Sequence, residues 1–291
     1  MRTSITHPLR IDWLPVEGDE GRIGMTLCPG KYQPISWTGG WDRQLDLDFE
    51  ALKENGTSKL ISLVTHEDME LLRVSQLPEV VEASGIEWVH LPLPDCSVPT
   101  RKWLRRSVPV FTELQTSISE GERVVVHCMG GLSRAGTFVA IYLYLRGYSM
   151  TDAIGRVRTE RDGRCINTKQ EAFLFDLETQ HMDERSKIER YAGDIGHFDG
   201  NLITWAEEHL CNWPVNSKWR PYGSGVLYVK TGLNTWQLAS IVDHPFSRLS
   251  HTAFTKLIET VGLTMDDKAL LDCGENTLSS AEFSVRMLFK M

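Results

Sequence analysis

Three observations predict an α/β protein: a mostly parallel central sheet with helices on both faces, plus a smaller C-terminal α+β unit. Short apolar runs, "KLISLV" (59–64), "IEWVHLPL" (86–93) and "RVVVHC" (123–128), have the length of buried strands. Helical patterns lie between them, as crossovers between parallel strands require. The character of the chain then changes after about residue 184, where charged and tryptophan-bearing segments take over.

The elements follow in order. Residues 1–22 read as an irregular N-terminal arm. "RIGMTL" (22–27) reads as a strand closed by the turn "CPGK". Leu45, Leu47, Phe49 and Leu52 supply the apolar positions of a helix that ends at Gly56. "HEDMELLRV" and "LPEVVEASG" are helical, the second stopping at Gly85. The stretch 100–121 is helical with Pro109 inside it, which predicts a kink or restart. "RAGTFVAIYLYLRGY" (134–148) is a strongly apolar helix that stops at Gly147. "TDAIGRVRTER" and "KQEAFLFDLETQHM" complete the first domain, taken as residues 23–183.

Residues 184–291 form an accessory domain in this reading. It begins with the charged "DERSKIER" and holds Trp205, Trp213, Trp219 and Trp236. A strand "VLYVKT" and an amphipathic helix "HTAFTKLIETVG" (251–262) are expected, with the tryptophans packed inside. Docking of a protein partner is the alternative use of this tail.

The 291 residues are comfortable for two domains, and the net charge of −8 argues against a nucleic-acid partner. No apolar run approaches a membrane span and the N-terminus lacks a signal-peptide core. The six cysteines are scattered, with no C-x-x-C pair. That suits a cytoplasmic protein with reduced thiols and no metal or other cofactor.

The chemistry concentrates in "VVVHCMGGLSRAG". Cys128 ends a buried strand, where open α/β sheets bind ligands. Residues Met129, Gly130, Gly131, Leu132 and Ser133 turn into a helix N-terminus, and their backbone amides suit an anion nest. The two glycines permit the turn. Arg134 closes the cradle with a planar fork onto two phosphate oxygens. The same field favours an ionised Cys128 sulfur, placed against phosphorus for nucleophilic attack through a phosphocysteine. A phosphate-binding loop of the nucleotide-hydrolase type is excluded because no Gly-Lys-Ser/Thr follows the glycines.

"HCMGGLSR" resembles the His-Cys-x5-Arg signature of the cysteine-dependent protein tyrosine and dual-specificity phosphatases. "TLCPGK", "HCMGGLSRAG" and "INTKQEAF" liken residues 20–180 to the kinase-associated phosphatase branch and its bacterial relatives. The resemblance implies a dual-specificity phosphatase-like fold and a phosphorylated protein or peptide as substrate. It implies a general acid on a loop about thirty residues before the cysteine. Asp95 in "LPLPDCSVP" stands 33 residues before Cys128 and is assigned that role. His127 takes a structural role beside the loop. Gln170, taken over Asn167, is the candidate for positioning water in the second step.

The chain departs from the family's pattern where Ser or Thr usually follows the arginine, because Ala135 stands there. The expected consequence is slow hydrolysis of the intermediate, with Thr137 or Ser133 as partial substitutes. Residues 129–133 hold no Lys or Arg, which argues against inositol headgroups. The cluster Arg101, Lys102, Arg105 and Arg106 reads as a solvated helix face. Cys96 reads as an inert neighbour of Asp95, against the alternative that it traps an oxidised Cys128. Two other functions compete with a metal-independent protein phosphatase. One is a phosphoprotein-binding module of weak turnover, kept open by Ala135. The other is a small-molecule phosphomonoesterase.

Overall fold

The computed structural model describes residues 1–36, 39–193, 200–219, 225–242, 245–266 and 280–289. The chain divides into two compact units, Met1–Glu178 and Thr179–Met291. The division falls inside a helix rather than at 183/184, because "DERSKIER" carries no helix breaker and prolongs that helix.

In the first unit the elements run β1 (Asp12–Pro15), β2 (Arg22–Thr26), β3 (Tyr32–Gln33), β4 (Trp41–Asp42) and α1 (Leu45–Glu54). They continue with β5 (Lys59–Ser62), α2 (His66–Leu71), α3 (Leu77–Ser84), β6 (Glu87–His90) and α4 (Arg101–Ser119). β7 (Arg123–His127), α5 (Ser133–Leu145), α6 (Met150–Glu160) and α7 (Thr168–Gly193) follow. The main sheet has the order β1-β2-β7-β5-β6, parallel except for β1.

Register explains how the sheet buries both faces. Trp88, Leu60, Val125, Gly24 and Trp13 are successive cross-strand partners. Their face packs with Phe49 and Leu52 of α1 and Leu77 and Val81 of α3. The alternate residues Ile61, Val126 and Met25 are also fully buried and point the opposite way. On that side α4 and α5 close over the sheet, with Phe111 and Phe138 stacked at 4.5 Å between ring centroids.

Two expectations need correction. Residues 1–22 are not wholly an irregular arm, since Asp12–Pro15 pair with β2 as the antiparallel edge strand. Pro15 masks this strand in the sequence, yet an edge strand tolerates a residue without an N–H. Pro109 neither stops nor restarts α4, which runs through it unbroken. The proline faces solvent, where water can satisfy the carbonyl it frees. Thr100 supplies the N-cap of α4, its hydroxyl accepting from Trp103 N.

The second unit comprises α8 (Gly200–His209), β8 (Lys218–Trp219), β9 (Val226–Lys230), β10 (Thr235–Ile241), α9 (Pro245–Thr260), β11 (Thr264–Asp266) and α10 (Ser280–Leu288). Its four strands have the order β11-β10-β9-β8. Trp236 is fully buried, and Trp205, Trp213 and Trp219 pack against the same core. Tyr228 and Phe254 meet at 4.1 Å. Buried Lys230 donates to the carbonyls of Leu210 and Cys211 just beyond α8, a favourable end for a cation. Part of "NWPVNSKWRPYGSG", residues 220–224, lies outside the described residues. Among the described residues no helix is long and apolar enough to cross a membrane.

Candidate active site

The parallel strands β7 and β5 deliver His127 and Ser62 as register partners at their carboxyl ends. Cys128 follows at once and is buried. Met129, Gly130, Gly131 and Leu132 make the turn into α5, which begins at Ser133. Leu132 at the N-cap of α5 offers no side-chain acceptor to its first-turn amides.

The turn is shaped by what holds its carbonyls. Met129 O accepts from Cys28 N at 3.3 Å and from Lys31 Nζ at 3.2 Å. Arg161 donates from Nη2 to Gly130 O at 3.2 Å and from Nε to Gly131 O at 3.1 Å. A planar peptide carries its N–H opposite its C=O. Pinning three successive carbonyls on one side therefore turns the following amides to the other, as an anion nest requires. Lys31 and Arg161 were missed by the sequence reading, which looked for cations only within residues 129–133. Burial lowers the Lys31 pKa to about 8.

Only one of the two glycines needs to be glycine. Gly131 has φ +66°, and a Cβ there would lie 2.3 Å from the carbonyl oxygen of Thr26. Gly130 has no positive φ, and its Cβ would meet nothing nearer than Leu132 at 3.8 Å.

Arg134 is fully buried. Its Nη1 donates to Asp68 Oδ2 at 2.5 Å, to Leu93 O at 2.8 Å and to Leu63 O at 3.3 Å. Asp95 Oδ1 stands 3.0 Å from Nη2. That ion pair is angled so that Nε and Nη2 make no hydrogen bond. One edge of the guanidinium is thus anchored, and the other presents two parallel donors. Burial works against the charge, but nearby Cys128, Asp68 and Asp95 outweigh it and raise the Arg134 pKa.

Asp68 is a third residue the sequence reading missed. It sits in α2, the helix formed within "HEDMELLRV". Thr65 and Asp68 form a reciprocal capping box, Thr65 Oγ1 accepting from Asp68 N and Asp68 Oδ2 from Thr65 N. The pattern reads as a helix start and hides the carboxylate's other partner.

His127 Nε2 lies 2.6 Å from Ser62 Oγ, which accepts from Trp88 Nε1 at 2.8 Å. A serine hydroxyl donates once and accepts twice, so this contact accommodates either neutral tautomer of His127. Burial lowers the His127 pKa to about 3, so the ring is neutral.

Asp95 lies on the loop between β6 and α4, with its side chain half exposed. Cys96 adopts φ +54°, and its thiol donates to Asp95 Oδ2 at 3.6 Å. Partial burial and the neighbouring carboxylate raise the Cys96 pKa, which keeps the thiol protonated. Gln170 is fully buried near the start of α7, beside Asn167. Thr137 spends its hydroxyl within α5, donating to Ser133 O at 2.9 Å, so it offers no substitute for the hydroxyl absent at Ala135. Arg101, Lys102, Arg105 and Arg106 form an exposed face of α4.

A hollow of about 770 Å³ opens beside the turn and shares Gly130 and Leu132 with it. Its lining includes Arg2, Arg10, Arg161 and Arg164. Asp12 pairs with both Arg10 and Arg161, and Asp162 pairs with Arg164, so these three arginines share two carboxylates. Arg10 and Arg164 remain largely exposed.

Residues 41–148 match the family described as a polymorphic toxin system dual-specificity protein tyrosine phosphatase. The chain is 26% identical to mouse cyclin-dependent kinase inhibitor 3 over 191 residues, 63% of this chain and 86% of that protein. It is 37% identical to human protein tyrosine phosphatase type IVA 3 over 98 residues, 32% of this chain and 53% of that protein. A crystal structure of kinase associated phosphatase, its catalytic-site cysteine replaced by serine, superposes with a TM-score of 0.51. It has 25% identity and covers 57% of this chain and 92% of that one.

Proposed function

We infer that the chain belongs to the cysteine-dependent protein tyrosine and dual-specificity phosphatases, which are phosphoric monoester hydrolases, and on that premise propose a phosphocysteine mechanism acting on phosphoproteins. In it the amides after Cys128 and the open edge of Arg134 bind the phosphoryl oxygens. The Cys128 sulfur attacks phosphorus, and the bond to the leaving oxygen breaks as Asp95 donates its proton. The Asp95 carboxylate then takes a proton from water, which attacks phosphorus and releases Cys128 and inorganic phosphate.

The observation that carries this reading is the divided use of Arg134. Nη1 is spent on Asp68 and two carbonyls, while Nε has no hydrogen-bond acceptor and Nη2 faces only the Asp95 carboxylate at 3.0 Å. Two parallel donors match two oxygens of a phosphoryl group. The neighbouring arginine-lined hollow supports a phosphopeptide with an acidic side chain beside the phosphorylated residue. No metal enters any step of this mechanism.

The test is hydrolysis of para-nitrophenyl phosphate in the presence of EDTA, comparing the wild type with Cys128→Ser and Asp95→Ala. Turnover by the wild type, its loss in the first variant and slowing by roughly 10²-fold or more in the second are expected. An inactive wild type that still binds vanadate or a phosphopeptide would replace the enzyme by a phosphate-binding module. Activity abolished by EDTA would overturn the metal-independent reaction.

A further inference from the structure

The start of α7 makes contacts with the Asp95 loop that the mechanism above does not use. Asn167 and Gln170 form a reciprocal cap on this helix. Asn167 Oδ1 accepts from Gln170 N at 3.0 Å, and Gln170 Oε1 accepts from Asn167 N at 3.1 Å. Each side-chain amide therefore commits its oxygen to the cap and leaves its NH₂ group facing outward from it. Both NH₂ groups reach the segment that follows Asp95. Gln170 Nε2 donates to Ser97 O at 3.0 Å, and Asn167 Nδ2 donates to Cys96 O at 3.4 Å.

The segment they hold is one that needs holding. Cys96 is a non-glycine residue at φ +54°, a conformation that persists only when its surroundings impose it. The turn is closed by Ser97, whose N and Oγ both donate to Pro94 O. The cap is itself fixed to the helix that carries Arg134. Arg158 donates to Cys165 O and Ile166 O and pairs with Glu171 in the first turn of α7. A Cβ at Gly136 of α5 would touch Ile166 at 3.0 Å, so the two segments lie in close contact. A run of direct contacts thus joins α5, the cap and the loop that presents Asp95 to Arg134.

We propose that Asn167 and Gln170 are positioning residues for the proton-donor loop, so that Gln170 acts on the first chemical step rather than by aligning water in the second. This rests on the reading of Asp95 as proton donor. It departs from the role that the resemblance implies for Gln170. The side chain is fully buried, its oxygen is taken by Asn167 N, and its NH₂ is directed at Ser97 O.

The leaving group separates the two roles. Protonation matters for a poor leaving group such as phenol and little for an acidic phenol, whereas water alignment belongs to the second step, which kcat/KM does not report. Gln170→Glu and Asn167→Asp keep the oxygens that serve the cap and remove the NH₂ groups that hold the loop. We expect Asn167→Asp, at a partly exposed position, to stay near the wild-type Tm, and Gln170→Glu, which buries a carboxylate, to lower it. Their kcat/KM for phenyl phosphate should fall about ten-fold or more. Their kcat/KM for a phosphate ester of a strongly acidic fluorinated phenol should change less than about two-fold. Asp95→Asn is the reference and should show the same selectivity, more strongly.

Equal losses of kcat/KM on both esters would overturn the proposal, and a lower kcat with kcat/KM unchanged would overturn it in favour of water alignment. No loss on either ester would also overturn it. If Asp95→Asn is selective and the two cap variants are not, the clamp fails and the proton-donor reading stands. If Asp95→Asn is not selective, both fail together. Should Gln170→Glu not fold, Asn167→Asp decides alone.

Discussion

Asp68 Oδ2 accepts from Arg134 Nη1 at 2.5 Å, tying the helix after β5 to the arginine that follows the cysteine loop across 66 residues of chain. The pair is buried on the arginine side and nearly so on the carboxylate side. Removing one partner of such a pair typically costs about 3–5 kcal/mol, because the other charge is left uncompensated. Asp68→Ala should therefore lower the Tm sharply. Asp68→Asn keeps an acceptor and the capping box but loses the charge, so the fold should survive while the fork loses its alignment. We expect vanadate to bind Asp68→Asn about ten-fold more weakly, measured by competition against para-nitrophenyl phosphate. Unchanged vanadate affinity would show that Leu63 O and Leu93 O suffice to orient Arg134.

The two glycines after the cysteine should respond differently to alanine. At Gly131 the positive φ opposes a side chain, and the Cβ would press on the backbone oxygen of Thr26. That oxygen belongs to a central strand and has little freedom to move. Gly131→Ala should cost about 10²-fold in kcat/KM, since misplacing the loop by about 1 Å is enough. Gly130→Ala should change kcat/KM less than about two-fold, because its Cβ enters ordinary contact distance only. Equal losses would indicate that the loop needs backbone freedom at both positions.

These sites also mark the limits of what could be read in the sequence. The strands ending at Ser62 and His127 were legible because buried parallel strands are continuous apolar runs. The order Cys128, two glycines, Arg134 carried the loop, because a sharp turn into a helix needs those residue types locally. The edge strand Asp12–Pro15 was not legible, since Pro15 reads as a breaker until its place at the sheet edge is known. Asp68, Lys31 and Arg161 were hidden for another reason. Each acts through a hydrogen bond to a residue far along the chain, and local pattern records only that Asp68 opens a helix. Counting cations within residues 129–133 therefore understated the positive charge that surrounds them.

The neutral His127 gives the fold an acid limit. Burial lowers its pKa to about 3, whereas the unfolded chain takes up a proton on this residue near the ordinary value of 6.5. Above that value both states are neutral and the stability is fully present. Below it the unfolded chain binds the proton and the native one does not, so stability falls by about 1.4 kcal/mol per pH unit. The loss continues until the native ring titrates near pH 3. Urea unfolding at pH 7 and pH 5 should differ for the wild type by about 2 kcal/mol from this residue. His127→Gln should reduce that difference, even though it lowers stability at pH 7 by disturbing the Ser62 hydrogen bond. A difference that His127→Gln leaves unchanged would place the acid sensitivity elsewhere.

Ala135 sets the last prediction. It is fully buried directly after Arg134 and offers no hydroxyl where the resemblance implies one. Thr137 is bonded back to Ser133 O and does not stand in for it. The transfer of phosphoryl to Cys128 uses the loop amides, Arg134 and Asp95, none of which Ala135 touches chemically. Release of sulfur in the second step is where a hydroxyl would donate to the departing thiolate. The first step should thus outrun the second. Rapid mixing with para-nitrophenyl phosphate should show a burst of nitrophenol approaching one equivalent per enzyme, followed by a slower steady state. Ala135→Ser adds one oxygen in a tight site, so a loss of about 1 kcal/mol in stability is expected. Its steady-state kcat should nonetheless rise and the burst shrink, with kcat/KM little changed because that ratio reports the first step alone. Linear product release from the first milliseconds in the wild type would show that hydrolysis is not limiting.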